Sequence, residues 1–302
     1  MEVKEGFVES EGHRLGYLAV NEHLLSHGNQ PIIVFIHGVL ASINFWRDCV
    51  PPSFKEDRVW YSLSLPAHHP STVPQDFKPE QVNDQWFFNL MNGALKELLG
   101  DKKAIIVGHS TGGFSAINLA IHQAPNVMGI ISVAGFHSGK WGGAEGLLVK
   151  LAGLGKWAKS LFVANLTLSR TSSLMQRLFS NSLAHDQKAY GSNPLSRRML
   201  DNIKPNVSQQ NYSDLFPLFN GISRLEIADQ LGEISMPCYI FAGTHDPIVP
   251  PKQSLLLSGK IPGATTVVFH NVGHMPFIED TDNYFSALEE AVTNIHKQSN
   301  NR

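Results

Sequence analysis

The stretch that most constrains this chain is residues 104–113, Ala-Ile-Ile-Val-Gly-His-Ser-Thr-Gly-Gly. An apolar, β-favouring run from Ala104 to Val107 meets Gly108-His109-Ser110-Thr111-Gly112, a G-x-S-x-G. A helix-compatible segment from Gly113 to Gln123 follows, closed by Ala124-Pro125. Strand, sharp turn and helix in that order put a serine at the apex. A nucleophilic oxygen must stand clear of the backbone, and the flanking glycines let strand and helix approach closely around it. The motif alone also fits a plain glycine turn, so its surroundings carry the argument.

Those surroundings alternate between strand and helix. Phe7–Ser10 and Arg14–Val20 read as a hairpin about Glu11-Gly12. Pro31 to Ile36 is an apolar run of the kind buried on both faces of a parallel sheet, and it ends at His37-Gly38. Val59–Leu65 is the next strand and runs into a Pro- and His-rich loop, Pro66 to Pro79. Val82, Trp86, Leu90, Ala94 and Leu98 recur at helical spacing, and Gly100 stands where a C-cap glycine belongs. Val127–Ala134 is another buried strand. Apolar strands separated by helices imply a parallel sheet with right-handed crossovers.

Residues 136–221 change character: strand runs stop and Gly, Ser and Asn content rises, which predicts a mostly helical insertion. Within it Leu147, Leu151, Leu154, Ala158 and Leu161 share a helical face, with Lys156 and Lys159 opposite. Gly153 and Gly155 interrupt that stretch at about 1 kcal/mol each relative to Ala, enough to divide it into two helices. Beyond the insertion, Arg224–Leu231 suggests a helix ending at Gly232, Pro237–Gly243 a strand, Lys252–Leu257 a short helix and Thr265–His270 a strand. A last helix from about Asp280 carries Tyr284, Leu288, Ala291 and Ile295, with a frayed tail from Gln298. The expected fold class is α/β: a mostly parallel central sheet flanked by helices, formed by residues 1–135 and 222–302, with residues 136–221 as an inserted helical cap.

Composition narrows the function classes. The net charge is −2 and there is no run of basic residues, so a nucleic-acid partner is not expected. No 18-residue uninterrupted apolar stretch exists, and the charged N-terminus (Met1 to Glu5) lacks an apolar signal-peptide core. The two cysteines, Cys49 and Cys238, sit in apolar segments and read as buried thiols, which fits a cytoplasmic location. The 14 histidines form no H-x-x-x-H pair on a helix and no Cys/His cluster, so no metal and no cofactor is expected.

A serine hydroxyl is a poor nucleophile at neutral pH. It needs a base, a carboxylate to orient that base, and donors for the developing oxyanion. In an open parallel sheet such groups gather outside the carboxyl ends of the strands. Ser110 follows one expected strand, Asp246 another and His274 the last. On His37-Gly38, Gly108-His109-Ser110-Thr111-Gly112-Gly113, Gly243-Thr244-His245-Asp246-Pro247-Ile248-Val249-Pro250 and Gly273-His274-Met275-Pro276, the chain resembles the α/β-hydrolase superfamily. The branch is the single-domain one with a helical cap. The resemblance covers nearly the whole chain and is weakest in the cap.

The resemblance implies roles residue by residue. Ser110 attacks a carbonyl carbon, His274 takes and returns its proton, and Asp246 fixes the imidazole tautomer. The oxyanion donors are the backbone N–H groups of Thr111 and Val39. His37 shapes the oxyanion loop, His109 packs beside the nucleophile, and His245 is too close to Asp246 in sequence to serve as base. One departure is Ala67-His68-His69-Pro70, where similar hydrolases have Gly-His-Gly; His68 and His69 are expected to face solvent rather than the pocket. Serine at 110 disfavours the Asp-nucleophile dehalogenases and epoxide hydrolases.

Substrate choice lies in the cap. Trp141, Leu147, Leu151, Trp157 and Phe216 are expected to line an apolar pocket, although more than half of the cap's apolar residues must simply pack it onto the core. The amphipathic Leu147–Phe162 stretch with its lysines is also compatible with peripheral membrane contact. The expected activity is a cofactor-independent serine hydrolase, a carboxylesterase or lipase-like enzyme for an apolar ester. An acyltransferase, thioesterase or carbon–carbon bond hydrolase on the same triad stays open, as does a ligand receptor on a hydrolase scaffold.

Overall fold

The computed structural model describes residues 2–26 and 30–300. Its strands are β1 (Val3–Ser10), β2 (His13–Val20), β3 (Ile32–Ile36), β4 (Trp60–Leu63), β5 (Ala104–His109), β6 (Val127–Val133), β7 (Cys238–Gly243) and β8 (Thr265–Phe269). They form one sheet in the order β1-β2-β4-β3-β5-β6-β7-β8. The hairpin β1–β2 and the β2–β4 pair are antiparallel, and every pair from β4 to β8 is parallel. Every residue of β3, β5 and β7 is buried, as continuous apolar runs covered on both faces must be.

Helices cover both faces. In chain order these are α1 (Pro52–Asp57), α2 (Asp84–Leu99) and α3 (Thr111–Ile121) before β6, then α10 (Pro251–Lys260), α11 (Pro276–Glu279) and α12 (Thr281–Asn300) after β7. Helix α2 is capped at both ends as its sequence demands. The Asn83 side chain accepts from the Trp86 N–H, and Gly100 ends the helix at φ 58°. Helix α3 is buried at every position, so it is a core helix rather than an amphipathic one.

Between β6 and β7 lie α4 (Gly143–Gly153), α5 (Lys159–Thr171), α6 (Ser173–Asn181), α7 (Gln187–Ser192), α8 (Pro194–Ser208) and α9 (Tyr212–Ile222). Phe162 of α5 packs edge-on against Phe216 and Phe219 of α9, at centroid distances of 5.6 and 5.2 Å. The Leu147–Phe162 stretch is two helices, not one. Gly155 takes φ 97°, a conformation that excludes other side chains at low cost, and a single 3-10 turn (Lys156–Ala158) joins α4 to α5.

Two other expectations change. Residues 224–230 are not helical, and only a 3-10 turn follows at Leu231–Glu233: Glu226 bridges to Ser138 and its carboxylate pairs with His137 at 2.8 Å, which draws this segment into extended contact with the stretch after β6. The tail after Gln298 stays helical through Asn300, where the Ser299 hydroxyl donates to the Met128 carbonyl. Cys49 and Cys238 are buried free thiols. Among the described residues no helix is long and apolar enough to cross a membrane.

Candidate active site

Ser110 stands between β5 and α3 with φ 53° and ψ −114°. That conformation costs a non-glycine residue about 1–3 kcal/mol and has to be imposed by its surroundings. The imposing groups are the flanking glycines. A Cβ on Gly108 would sit 2.0 Å from the Gly112 carbonyl oxygen, and one on Gly112 would sit 2.2 Å from the Ile36 carbonyl oxygen. Strand and helix therefore close on each other as only glycine allows. The Ser110 N–H donates to Val133 of β6 at 2.9 Å, so the apex is anchored on one side. Thr111, wholly buried, opens α3 with an N–H that has no acceptor inside the helix.

Asp246 lies beyond the end of β7. Its Oδ1 accepts from the Ile248 and Val249 N–H groups at 2.8 and 2.9 Å. Its Oδ2 accepts from Nδ1–H of His274 at 2.7 Å. His274, beyond β8, is held by its own N–H donating to Leu183 at 2.9 Å. Glu279 clasps the same loop: its carboxylate accepts from the N–H groups of Gly273, Met275 and His185 at 3.0, 3.2 and 2.8 Å. With Nδ1 donating, Nε2 of His274 carries a lone pair. Among the described residues neither this atom nor the Ser110 hydroxyl, both buried, has a hydrogen-bond partner. Burial opposes charge on His274, but the Asp246 charge and hydrogen bond, with Glu145 and Glu279 nearby, outweigh it and raise the imidazole above its usual 6.5.

Ser110 and His274 line one partly open cavity together with Gly38, Val39, Leu40, His109 and Glu145. Helices α6 and α8, with Leu183 between them, complete its wall through Phe179, Ser180, Leu183, Met199, Leu200 and Ile203. Its free volume is about 40 Å³, room for a few waters.

The loop after β3 is built by histidines. His37, fully buried, donates from Nδ1 to the Gly38 carbonyl at 2.7 Å and accepts the Leu65 N–H on Nε2 at 3.2 Å. His68 is not at the surface. It is 1% exposed, donates from Nδ1 to Pro66 at 2.9 Å and accepts the Leu40 N–H on Nε2 at 3.0 Å. The sequence expectation of a solvent-facing loop histidine fails for His68 because the Leu40 amide, in a residue at φ 63°, needs an acceptor there. His69 is only half-buried and uses its N–H on Gln210. His109 stacks on Phe45 at 5.5 Å and donates from Nε2 to the His274 carbonyl at 2.9 Å. His245 is exposed and faces His185, away from the cavity.

The pocket residues expected from the cap sequence do not line the cavity. Leu147 and Trp157 are 67% and 74% exposed. Trp141 packs behind the wall, edge-on to Phe136 at 4.8 Å, while Leu151 is part-buried against the core and Phe216 packs on Phe162. The reason is helical phase: α4 turns Glu145, Leu148, Val149 and Ala152 inward, and so turns Leu147 out. The residue that sequence reasoning missed is Glu145, a carboxylate 4% exposed in the cavity wall. Its only signal is a place in the first turn of the first cap helix, and carboxylates are rarely buried unless paired.

Buried neutral histidines make the fold acid-sensitive. Burial, then the neighbouring His68, holds His37 down at about 3, and burial with His274 nearby holds His109 well below 6.5. Below pH 6.5 the unfolded chain takes up protons there that the folded chain refuses. His274, shifted upward, already contributes its full stabilisation in that window. From pH 6.5 to 5 we expect a loss of about 3 kcal/mol from the pair, read as a lower urea midpoint. An unchanged midpoint would mean that these rings are not held neutral.

The alpha/beta hydrolase fold family matches residues 31–281. A curated relative is the pimeloyl-[acyl-carrier protein] methyl ester esterase of Vibrio vulnificus, 24% identical over 90% of this chain and 98% of that one. The proline iminopeptidase of Clostridioides difficile is 23% identical over 96% of this chain and 98% of its own length. Among solved structures the enol-lactonase of Burkholderia xenovorans shares the fold with a TM-score of 0.70 at 20% identity, covering 95% of this chain and 100% of that one. The chain belongs to the alpha/beta hydrolase fold family and is a hydrolase.

Proposed function

We propose that the chain cleaves a carboxylic ester of an apolar acyl group through a Ser110–His274–Asp246 triad and an acyl-enzyme. The observation that carries this reading is the 2.7 Å Asp246–His274 bond, with the other ring nitrogen of His274 and the Ser110 hydroxyl both buried, both unpartnered among the described residues and both lining one cavity. His274 takes the Ser110 proton as the hydroxyl adds to the carbonyl carbon. The resulting oxyanion is received by the N–H groups of Val39 and Thr111, the second at the start of α3, where the helix dipole favours negative charge. The imidazolium then protonates the departing alcohol, and water activated by the same ring releases the acid. Residues 136–221 act as the cap, and Phe179, Met199 and Ile203 give the acyl chain an apolar wall. The methyl ester esterase among its relatives supports this reading, although the iminopeptidase shows that the same fold also serves amide bonds. The buried free thiols fit a cytoplasmic setting.

A fluorophosphonate probe should label Ser110, and aryl esters of rising acyl length should then define the pocket. Each added methylene that is buried is expected to raise kcat/KM about fourfold. A maximum at acetate would remove the apolar acyl site from the proposal.

The base sets the pH profile. Because His274 is raised above 6.5, the acid limb of kcat/KM should have its midpoint above that value. Glu145→Gln removes one of the charges that raise it, so the midpoint should move down. A midpoint that stays in place would exclude Glu145 from the electrostatics of the base.

A further inference from the structure

Among the described residues, eight of the eleven large hydrophobic side chains that are exposed lie between Leu147 and Leu178. Helix α4 turns Leu147, Lys150 and Leu154 outward. The tight turn after Gly155 carries Trp157 at 74% exposure. Helix α5 buries Phe162 and Leu166 and exposes Leu161 and Leu168, seven residues apart and so on one face. Helix α6 exposes Leu174 and Leu178. Helix α5 packs against both α4 and α6, so these outer faces adjoin. Water-facing apolar surface on this scale marks an interaction site rather than ordinary scatter.

The charge of the same segment is one-sided. From Gly146 to His185 there is no Asp or Glu, where the chain's average composition would place about three, and there are Lys150, Lys156, Lys159, Arg170 and Arg177. Lys159 faces Asp214 of α9. Lys150, Lys156 and Arg177 are exposed. A cleft between α6 and α8 adds Arg197 and Lys204 to Arg177, with Asp201 as the acid in its lining.

We propose that the outer face of α4, α5 and α6 docks on an anionic lipid surface. Apolar side chains with a tryptophan at the tip, rimmed by lysines whose stems can follow them inward, are what a lipid interface takes up. A second copy of the chain is a poor occupant, because a self-complementary contact would set the same cations against each other. An acidic protein would answer the charge but leave most of the apolar area unmatched. The docked face adjoins the cavity, since α6 also lines it through Phe179 and Ser180. On the ester-hydrolase reading, substrate would then enter from the lipid phase; the docking itself does not depend on that reading.

The test uses the full chain carrying Ser110→Ala, so that no lipid is consumed. It is sedimented with vesicles of phosphatidylcholine alone or with about a quarter phosphatidylglycerol. Binding should be at least about tenfold tighter to the anionic vesicles and should weaken with salt. Trp157→Ser with Leu161→Ser, and separately Lys150→Glu with Lys156→Glu, should each lower it about tenfold while the urea midpoint is retained. No sedimentation with either vesicle overturns the proposal, as does undiminished binding by either double variant. Poly-glutamate that displaces the vesicles and still binds the Trp157→Ser, Leu161→Ser chain would reassign the face to an acidic protein.

Discussion

Ser110→Ala is expected to lower kcat on an aryl ester by about 10⁶ and to abolish fluorophosphonate labelling. The substitution removes one oxygen that has no partner among the described residues and leaves the backbone alone. Alanine keeps the Cβ, so it meets the same strain at φ 53° that serine does. The β5–α3 turn, fixed by Gly108 and Gly112, should keep its shape, and the urea midpoint should move little. Residual catalysis from the Val39 and Thr111 donors would remain. Turnover above a few per cent of wild type in the well-folded variant would place the nucleophile elsewhere.

Asp246→Asn should lower kcat by about 10⁴ with the fold intact. The asparagine oxygen can still accept from Ile248 and Val249, so the turn survives. The amide nitrogen then faces His274 Nδ1 and forces that atom to accept. The ring proton moves to Nε2, where the lone pair is needed for Ser110. Asp246→Ala is a different experiment: it leaves two buried N–H groups without an acceptor, at about 1–3 kcal/mol each, and mixes stability with catalysis. Kinetics of Asp246→Asn near wild-type rates would show that another acid orients the base.

The sheet was legible in the sequence because burial on both faces leaves an unbroken apolar run, as at Ile32–Ile36 and Ala104–Val107. Residues at the carboxyl ends of such runs converge by topology alone, which is why the sequence points to Ser110, Asp246 and His274 together. The cap was not legible in the same way. Periodicity says that a helix has an apolar face but not which neighbour covers it. Leu147 and Leu151 are one turn apart, yet one faces solvent and the other the core. The break at Gly155 resets the phase between α4 and α5, and no pattern spans it. His68 was misjudged because its partner, the Leu40 amide, is 28 residues away in the chain. Glu145 offered no pattern at all: its burial comes from the cavity that closes around it.

The Glu279 clasp ties the segment before α7 to the loop of His274. Its carboxylate binds the His274 loop and the His185 amide at once, and the His274 N–H holds the Leu183 carbonyl. Residues 183–185 are therefore tied to the His274 loop and cannot move without breaking those bonds. On the proposed ester-hydrolase reading an acyl chain needs more room than the cavity's free volume of about 40 Å³. That room would have to come from the wall upstream of the tie, Phe179 and Ser180 at the end of α6. Two residues separate that wall from Leu183, so it could yield without breaking the bonds that hold the His274 loop.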